Sequence, residues 1–80
     1  MRMQTDVLAF GLSLLEETPA LTRKAMTLTP DQDQGRVLVS KTLSRAWAAR
    51  GRGPKRSRLG RWLNRMIECE ARRALATTAH

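Results

Sequence analysis

Apolar residues recur with helical periodicity in four segments of the chain, and each segment predicts one helix. Thr5 and Asp6 are suited to cap the first helix, which we expect to end near Glu17. Thr18-Pro19 predicts the start of a second, short helix, because proline is favoured at the first helical position after a cap. The apolar positions of these two helices are Val7, Leu8, Phe10, Leu12, Leu14, Leu15, Leu21, Ala25 and Leu28.

Two further helical patterns follow, separated from each other by a segment that breaks helices. Thr29-Pro30 repeats the start signal and predicts a third helix that runs to about Ala49. Ser57 is suited to cap the last helix, which has the strongest apolar periodicity in the chain. The apolar positions of these two helices are Val39, Leu43, Ala46, Trp47, Leu59, Trp62, Leu63, Met66, Ile67, Ala71, Ala74 and Leu75.

The fold class that follows from these patterns is all-α. The sequence contains no alternating apolar and polar pattern of the kind that predicts β-strands. Eighty residues can bury one modest core, so we expect residues 1–80 to form a single helical domain, a compact bundle of three or four helices. The predicted core contains Leu21, Ala25, Leu28, Val39, Leu43, Ala46, Trp62, Leu63, Met66 and Ile67.

Charge is distributed unevenly along the chain, whose formal net charge is +8. Residues 1–35 contain three basic side chains and five acidic ones, whereas residues 36–80 contain twelve basic side chains and two acidic ones. Such an asymmetry favours a polyanionic partner, either a nucleic acid or an acidic protein surface. The segment 50–56 combines two glycines and a proline with basic residues, and it therefore predicts an exposed basic loop.

The candidate nucleic-acid-binding residues lie in this loop and in the first half of the last helix. Glu68 with Arg72 and Glu70 with Arg73 have spacings that predict ion pairs, but no acidic residue lies within the basic cluster itself. A phosphate at the start of the last helix would relieve both the charge repulsion and the unfavourable helix dipole. The alternative is a solvated loop that only increases solubility. The cluster contains Arg50, Arg52, Lys55, Arg56, Arg58, Arg61 and Arg65.

Other chemistry finds little support in the sequence. Cys69 is the only cysteine and His80 the only histidine, which argues against a disulfide, a metal site, a cofactor site or an enzyme. We expect Cys69 to be buried or half-buried, and Trp47 and Trp62 to pack in the core rather than stack on bases. No apolar stretch is long enough to span a membrane, so a cytoplasmic location is expected.

In the second, third and last predicted helices, a set of residues follows a recognisable order and spacing without gaps. They are Ala20-Leu21, Ala25, Leu28, Leu38-Val39, Thr42, Arg45-Ala46-Trp47, Leu59, Trp62-Leu63 and Arg65-Met66-Ile67. In type and spacing they resemble region 2 of sigma-70-type factors of the extracytoplasmic-function group. The resemblance covers about residues 19–75. It implies a stand-alone sigma-region-2-like protein without region 4, active in transcription.

The resemblance also implies partners for two surfaces. In the family, the third helix docks on RNA polymerase, and the loop and last helix hold single-stranded promoter DNA. Arg36, Lys41 and Arg45 would then be the partner-facing residues of the third helix. Acidic and amide side chains are usual in that helix, so its cationic face leaves an acidic regulatory protein, such as an anti-sigma factor, as the alternative partner. A basic helical module that binds DNA or RNA without any relation to sigma factors is the third interpretation.

Overall fold

The computed structural model describes the backbone of residues 2–78 and the side chains of residues 7–74. Three α-helices form the fold: α1 is Arg2–Leu28, α2 is Gln32–Ala48 and α3 is Leu59–Thr78. Two single-turn 3₁₀ helices, Arg50–Arg52 and Arg56–Arg58, connect α2 to α3. No strand occurs in the described backbone, which confirms the all-α fold class. None of the helices described combines the length and apolarity needed to cross a lipid bilayer.

The first two predicted helices are in fact one helix. Pro19 lies inside α1, so the predicted end near Glu17 is wrong, and Thr5 and Asp6 lie within the helix rather than before it. An internal proline costs about 3 kcal/mol because one helical hydrogen bond is lost. Leu14 and Leu21 are two turns apart and both buried, so continuous packing of this face offsets that cost.

The start of α2 lies two residues after the predicted signal at Thr29-Pro30. Asp31 is the N-cap, and its side chain accepts a hydrogen bond of 2.8 Å from the backbone N–H of Gln34. The Thr29 hydroxyl instead donates to the carbonyl of Ala25 at 2.8 Å, and so belongs to the end of α1. The end of α2 at Ala48 agrees with the prediction to within one residue.

The start of α3 also lies later than predicted. Ser57 is inside the second 3₁₀ turn, where the N–H of Arg58 donates to the carbonyl of Lys55 at 2.8 Å. The tighter turn precedes the α-helix, which begins at Leu59, so Ser57 is not its cap.

Each of the three helices packs against the other two around one core. Leu63 and Ile67 of α3 are completely buried, and Ala25 and Ala46 provide small side chains where the helices approach closely. The predicted core is confirmed, because all its members are either buried in this cluster or packed against it. The buried residues of the observed cluster are Leu14, Leu21, Ala25, Leu38, Val39, Ala46, Leu59, Leu63, Ile67 and Ala71.

An aromatic junction links the three helices. Phe10 of α1 lies between Trp47 of α2 and Trp62 of α3, with ring centroids 6.4 and 6.1 Å away. Trp62 is half-buried against the core, as predicted, but Trp47 is exposed because it lies at the edge of the junction. Cys69 is exposed too, contrary to expectation, because it lies in an open groove between α2 and α3.

Candidate nucleic-acid interface

The basic loop between α2 and α3 is held in a defined conformation by backbone hydrogen bonds between residues three apart in sequence. The N–H groups of Arg52 and Gly53 donate to the carbonyls of Ala49 and Arg50 at 2.9 and 3.3 Å. A Cβ atom on Gly53 would lie 3.3 Å from the Arg50 carbonyl oxygen and 3.6 Å from the Phe10 ring. The loop therefore packs closely on α1 at this position, which favours a residue without a side chain.

Arg50 is already engaged in the free protein. Its guanidinium group donates to the carbonyl of Trp47 at 2.9 Å and lies 4.7 Å from the centroid of the Trp47 ring. A cation at this place complements the negative end of the α2 dipole, and the ring adds a cation–π contact. The first role of Arg50 in this structure is thus to close the end of α2.

Acidic residues of α1 lie beside the basic loop, although the sequence showed no acidic neighbour. Arg56 forms an ion pair of 3.2 Å with Glu16. Glu17 is close to the start of α3, since a Cβ atom on Gly60 would lie 3.6 Å from a carboxylate oxygen of Glu17. The position predicted for a phosphate therefore already has a carboxylate beside it. The cluster itself contains no acidic residue, but α1 brings Glu16 to it from 40 residues away in the sequence.

A groove between α2 and α3 collects four arginines. It has a volume of about 480 Å³, and Trp62, Met66 and Cys69 also line it. A second recess of about 730 Å³ adjoins it along the same two helices and is lined by Lys41, Ser40 and Ser44 in addition to residues of the groove. The arginines of the groove are Arg45, Arg52, Arg65 and Arg73. We call this surface the arginine groove.

Glu70 organises one wall of the arginine groove. Its carboxylate is buried, with 7% exposure, and forms ion pairs with both Arg45 of α2 and Arg73 of α3. The predicted pair between Glu70 and Arg73 is therefore confirmed, at 3.3 Å. A buried carboxylate needs such partners because burial without them is costly. The two guanidinium groups are thus held at defined positions, while each remains more than half exposed to solvent.

The predicted pair between Glu68 and Arg72 is replaced by a tertiary one. Glu68 forms an ion pair of 3.4 Å with Lys24 of α1. The i, i+4 spacing permits a pair of Glu68 with Arg72, but the packing of α1 against α3 brings the ammonium group of Lys24 within reach of Glu68.

The predicted nucleic-acid-binding residues therefore divide among three surroundings. Arg52 and Arg65 line the arginine groove, whereas Arg50 and Arg56 contact Trp47 and Glu16. Three others are exposed elsewhere in the loop and at the start of α3: Lys55, Arg58 and Arg61. At 100° per residue, Arg61 and Arg65 lie within about 40° of each other on the outer face of α3. This face continues directly from the groove.

The predicted protein-partner residues Arg36, Lys41 and Arg45 do not share one face. On α2, Arg36 and Lys41 are about 140° apart around the helix axis, on either side of the exposed surface. Lys41 and Arg45 both line the recess between α2 and α3, whereas Arg36 does not. The expected single face is wrong, and Arg45 belongs to the arginine groove as well.

Sequence reasoning did not include Arg73 among the site residues, and it treated Arg45 only as a contact for a protein. Both arginines are placed in the groove by Glu70, whose burial results from the packing of α2 on α3. Glu70 lies four residues after Met66 and three after Ile67, within the apolar stripe of the last helix. A carboxylate at such a position signals a buried ion pair, and this signal pointed to partners on a neighbouring helix.

Among the described residues, no group of three or more acidic, cysteine or histidine side chains is arranged to hold a metal ion. Comparisons of the chain with protein-family models, with curated proteins and with solved structures found no match.

Proposed function

We propose that this chain binds a nucleic acid strand in the arginine groove, as a stand-alone domain resembling sigma region 2 that acts in transcription. The observation that carries the proposal is the convergence of Arg45, Arg52 and Arg65 from α2, the loop and α3 on one groove that also exposes Trp62. Guanidinium groups bind phosphate oxygens in a bidentate manner, and an aromatic ring beside them offers a stacking surface for a base.

The groove suits a single strand better than a rigid duplex. Its cations lie beside Trp62, whose ring can stack on an unpaired base, and the outer face with Arg61 extends the groove at one end. Glu70 fixes two of the arginines before any ligand arrives, which reduces the entropy lost on binding. The family resemblance implies that the loop and the last helix hold the DNA, and these elements supply Arg52 and Arg65.

An acidic regulatory protein remains the second candidate partner, and the recess beside the groove favours it. Lys41 lies there next to a smaller cavity of about 170 Å³ lined by Leu28, Pro30, Val37 and other residues. Val37 is exposed although it is apolar. Exposed apolar surface at this position favours a protein partner, because an apolar contact gives a phosphate backbone nothing to bind. On this proposal, RNA polymerase binds weakly and an anti-sigma-like acidic surface binds more tightly.

The test is a titration of a fluorescently labelled single-stranded DNA by anisotropy at low salt. Reversing Arg52 and Arg65 to glutamate should weaken binding by at least about tenfold, because two phosphate contacts become repulsive. Arg23→Glu makes one such change on exposed α1, outside the groove, and should have an effect below about threefold. The slope of log affinity against log salt should be near −0.7 per phosphate contacted.

Two results would contradict the proposal. The first is no DNA binding at high micromolar protein, and the second is a loss of DNA affinity per reversed charge that is equal for Arg23 and for the groove residues. Lys41→Glu separates the two candidate partners. It should leave DNA binding within about threefold of the original, but abolish binding to an acidic protein such as an anti-sigma factor.

A further inference from the structure

The face of α1 that points away from the core is apolar. Leu8, Leu12 and Leu15 are 68%, 60% and 68% exposed. Pro19 and Met26 continue the same face towards the end of the helix and are also exposed. Leucines with this exposure occur singly on most protein surfaces, but a contiguous row of them marks an interaction site. We call these five residues the α1 seam.

The spacing within the α1 seam is that of a helix-pairing surface. Leu8, Leu12, Leu15 and Pro19 are separated by four, three and four residues, and Met26 follows one heptad after Pro19. Alternating steps of three and four residues keep side chains on one side of a helix and allow it to pack against a second helix. From Leu8 to Met26 the α1 seam offers a pairing surface about 27 Å long.

We propose that the α1 seam is a self-association site, through which two copies of this chain pair across a twofold axis. In a twofold dimer the same patch meets itself, which a uniform apolar row allows without a second complementary surface. This interaction is separate from nucleic acid binding, because α2, the loop and α3 line the arginine groove and α1 does not.

Charge limits the faces through which two copies of this chain can pair. The chain has a net charge of +8, and most of its cations lie in residues 36–80. Two copies that met through α2 or α3 would bring these cations together, at a cost in repulsion. Between residues 7 and 28, α1 has two basic side chains, Arg23 and Lys24, against Glu16 and Glu17. Pairing through α1 therefore keeps the two basic surfaces on the outside of the dimer.

The area available limits the strength of this dimer. Stable interfaces bury about 800 Å² on each partner, whereas the α1 seam is a single row of five side chains. We therefore expect dissociation constants in the micromolar range and a dimer that forms as the protein is concentrated.

The experiment is sedimentation equilibrium of the full chain over a range of concentrations without nucleic acid. The apparent mass should rise from the monomer value of 9.0 kDa towards twice that value. Leu12→Gln with Leu15→Gln should raise the dissociation constant by at least about tenfold, because two apolar contacts are lost while glutamine preserves the helix. Ala20→Gln is the control, since Ala20 is exposed on α1 but lies outside the seam, and it should dimerise like the original chain.

Circular dichroism of each variant distinguishes lost pairing from lost folding. If the double variant is unfolded, Leu8→Gln alone serves in its place, with the same expected direction. A monomeric original chain at several hundred micromolar would overturn the proposal, as would a double variant that dimerises as well as the Ala20 control. Co-sedimentation with phosphatidylcholine vesicles, abolished by the double variant while the chain stays monomeric, would assign the seam to lipid instead.

Discussion

Helices α1 and α3 show two ways in which an apolar pattern is used. In α3, Leu63 and Ile67 are buried and the opposite side presents Arg61 and Arg65. In α1, Leu14 and Leu21 are buried, but the opposite, exposed side of the helix is apolar as well. A helix in a three-helix bundle contacts two neighbours and buries about half of its circumference. The pattern of α3 matches that geometry, whereas α1 has more apolar positions than this core can cover.

The difference shows that the same residue type has different consequences on the two helices. A leucine or isoleucine of α3 contributes to folding, and an outer leucine of α1 is free for another contact. The two helices also divide the charge, because Glu16 of α1 neutralises part of the loop that precedes α3. Three measurements sharpen this comparison.

The largest effect is expected from the core of α3. Ile67→Ala should reduce the free energy of unfolding by about 3 to 4 kcal/mol, because a fully buried side chain leaves a cavity. Leu15→Ala on the outer side of α1 should change it by less than about 0.5 kcal/mol. Urea unfolding followed by circular dichroism, at protein concentrations low enough to keep the chain monomeric, measures both. Similar losses for the two variants would mean that the outer side of α1 contributes to the folded monomer.

A smaller effect is expected where α1 meets the aromatic junction. Phe10 is half-buried between Trp47 and Trp62, so Phe10→Ala should cost about 2 to 3 kcal/mol. Leu12→Ala, two residues away and exposed, is the matched control and should cost less than about 0.5 kcal/mol. Thermal unfolding measures the comparison. If Phe10→Ala were as stable as its control, the first half of α1 would not be docked on the other helices.

The smallest effect concerns the acidic side of α1. Glu16→Gln frees Arg56 from its ion pair and should increase affinity for single-stranded DNA by about two- to threefold at low salt. Asp33→Asn changes the net charge equally in the first turn of α2 and should have less effect. Because the pair is exposed, Glu16→Gln should change stability by less than about 0.5 kcal/mol. Anisotropy titrations with the two variants side by side measure the difference, and equal affinities would show that Glu16 does not compete with DNA.

Much of the core could be predicted from the sequence because helical periodicity reflects packing directly. Leu63 and Ile67 recur on one face of a helix, and both are fully buried. The boundaries of the helices were harder to predict. Thr18-Pro19 and Ser57 have the chemistry of helix caps. However, tertiary packing continues α1 through Pro19, and a 3₁₀ turn places the start of α3 at Leu59.

The candidate site was predicted only in part because helices distant in sequence assemble it. Arg52 and Arg65 were identified by their charge, whereas Arg45 and Arg73 join them only through Glu70. The ion pair of Arg56 with Glu16 spans 40 residues, and no local spacing rule connects the two. Charge along a chain thus indicates the class of partner, and tertiary packing determines which cations face it.

The aromatic junction has an optical consequence. The chain has two tryptophans and no tyrosine, and both tryptophans lie next to the same phenylalanine. Tryptophan fluorescence, excited in the near ultraviolet, therefore originates where all three helices meet. Arg50 lies over one of these indole rings, and the other lines the groove. The unlabelled chain thus contains two intrinsic fluorophores that report docking of α1, release of Arg50 and occupation of the groove.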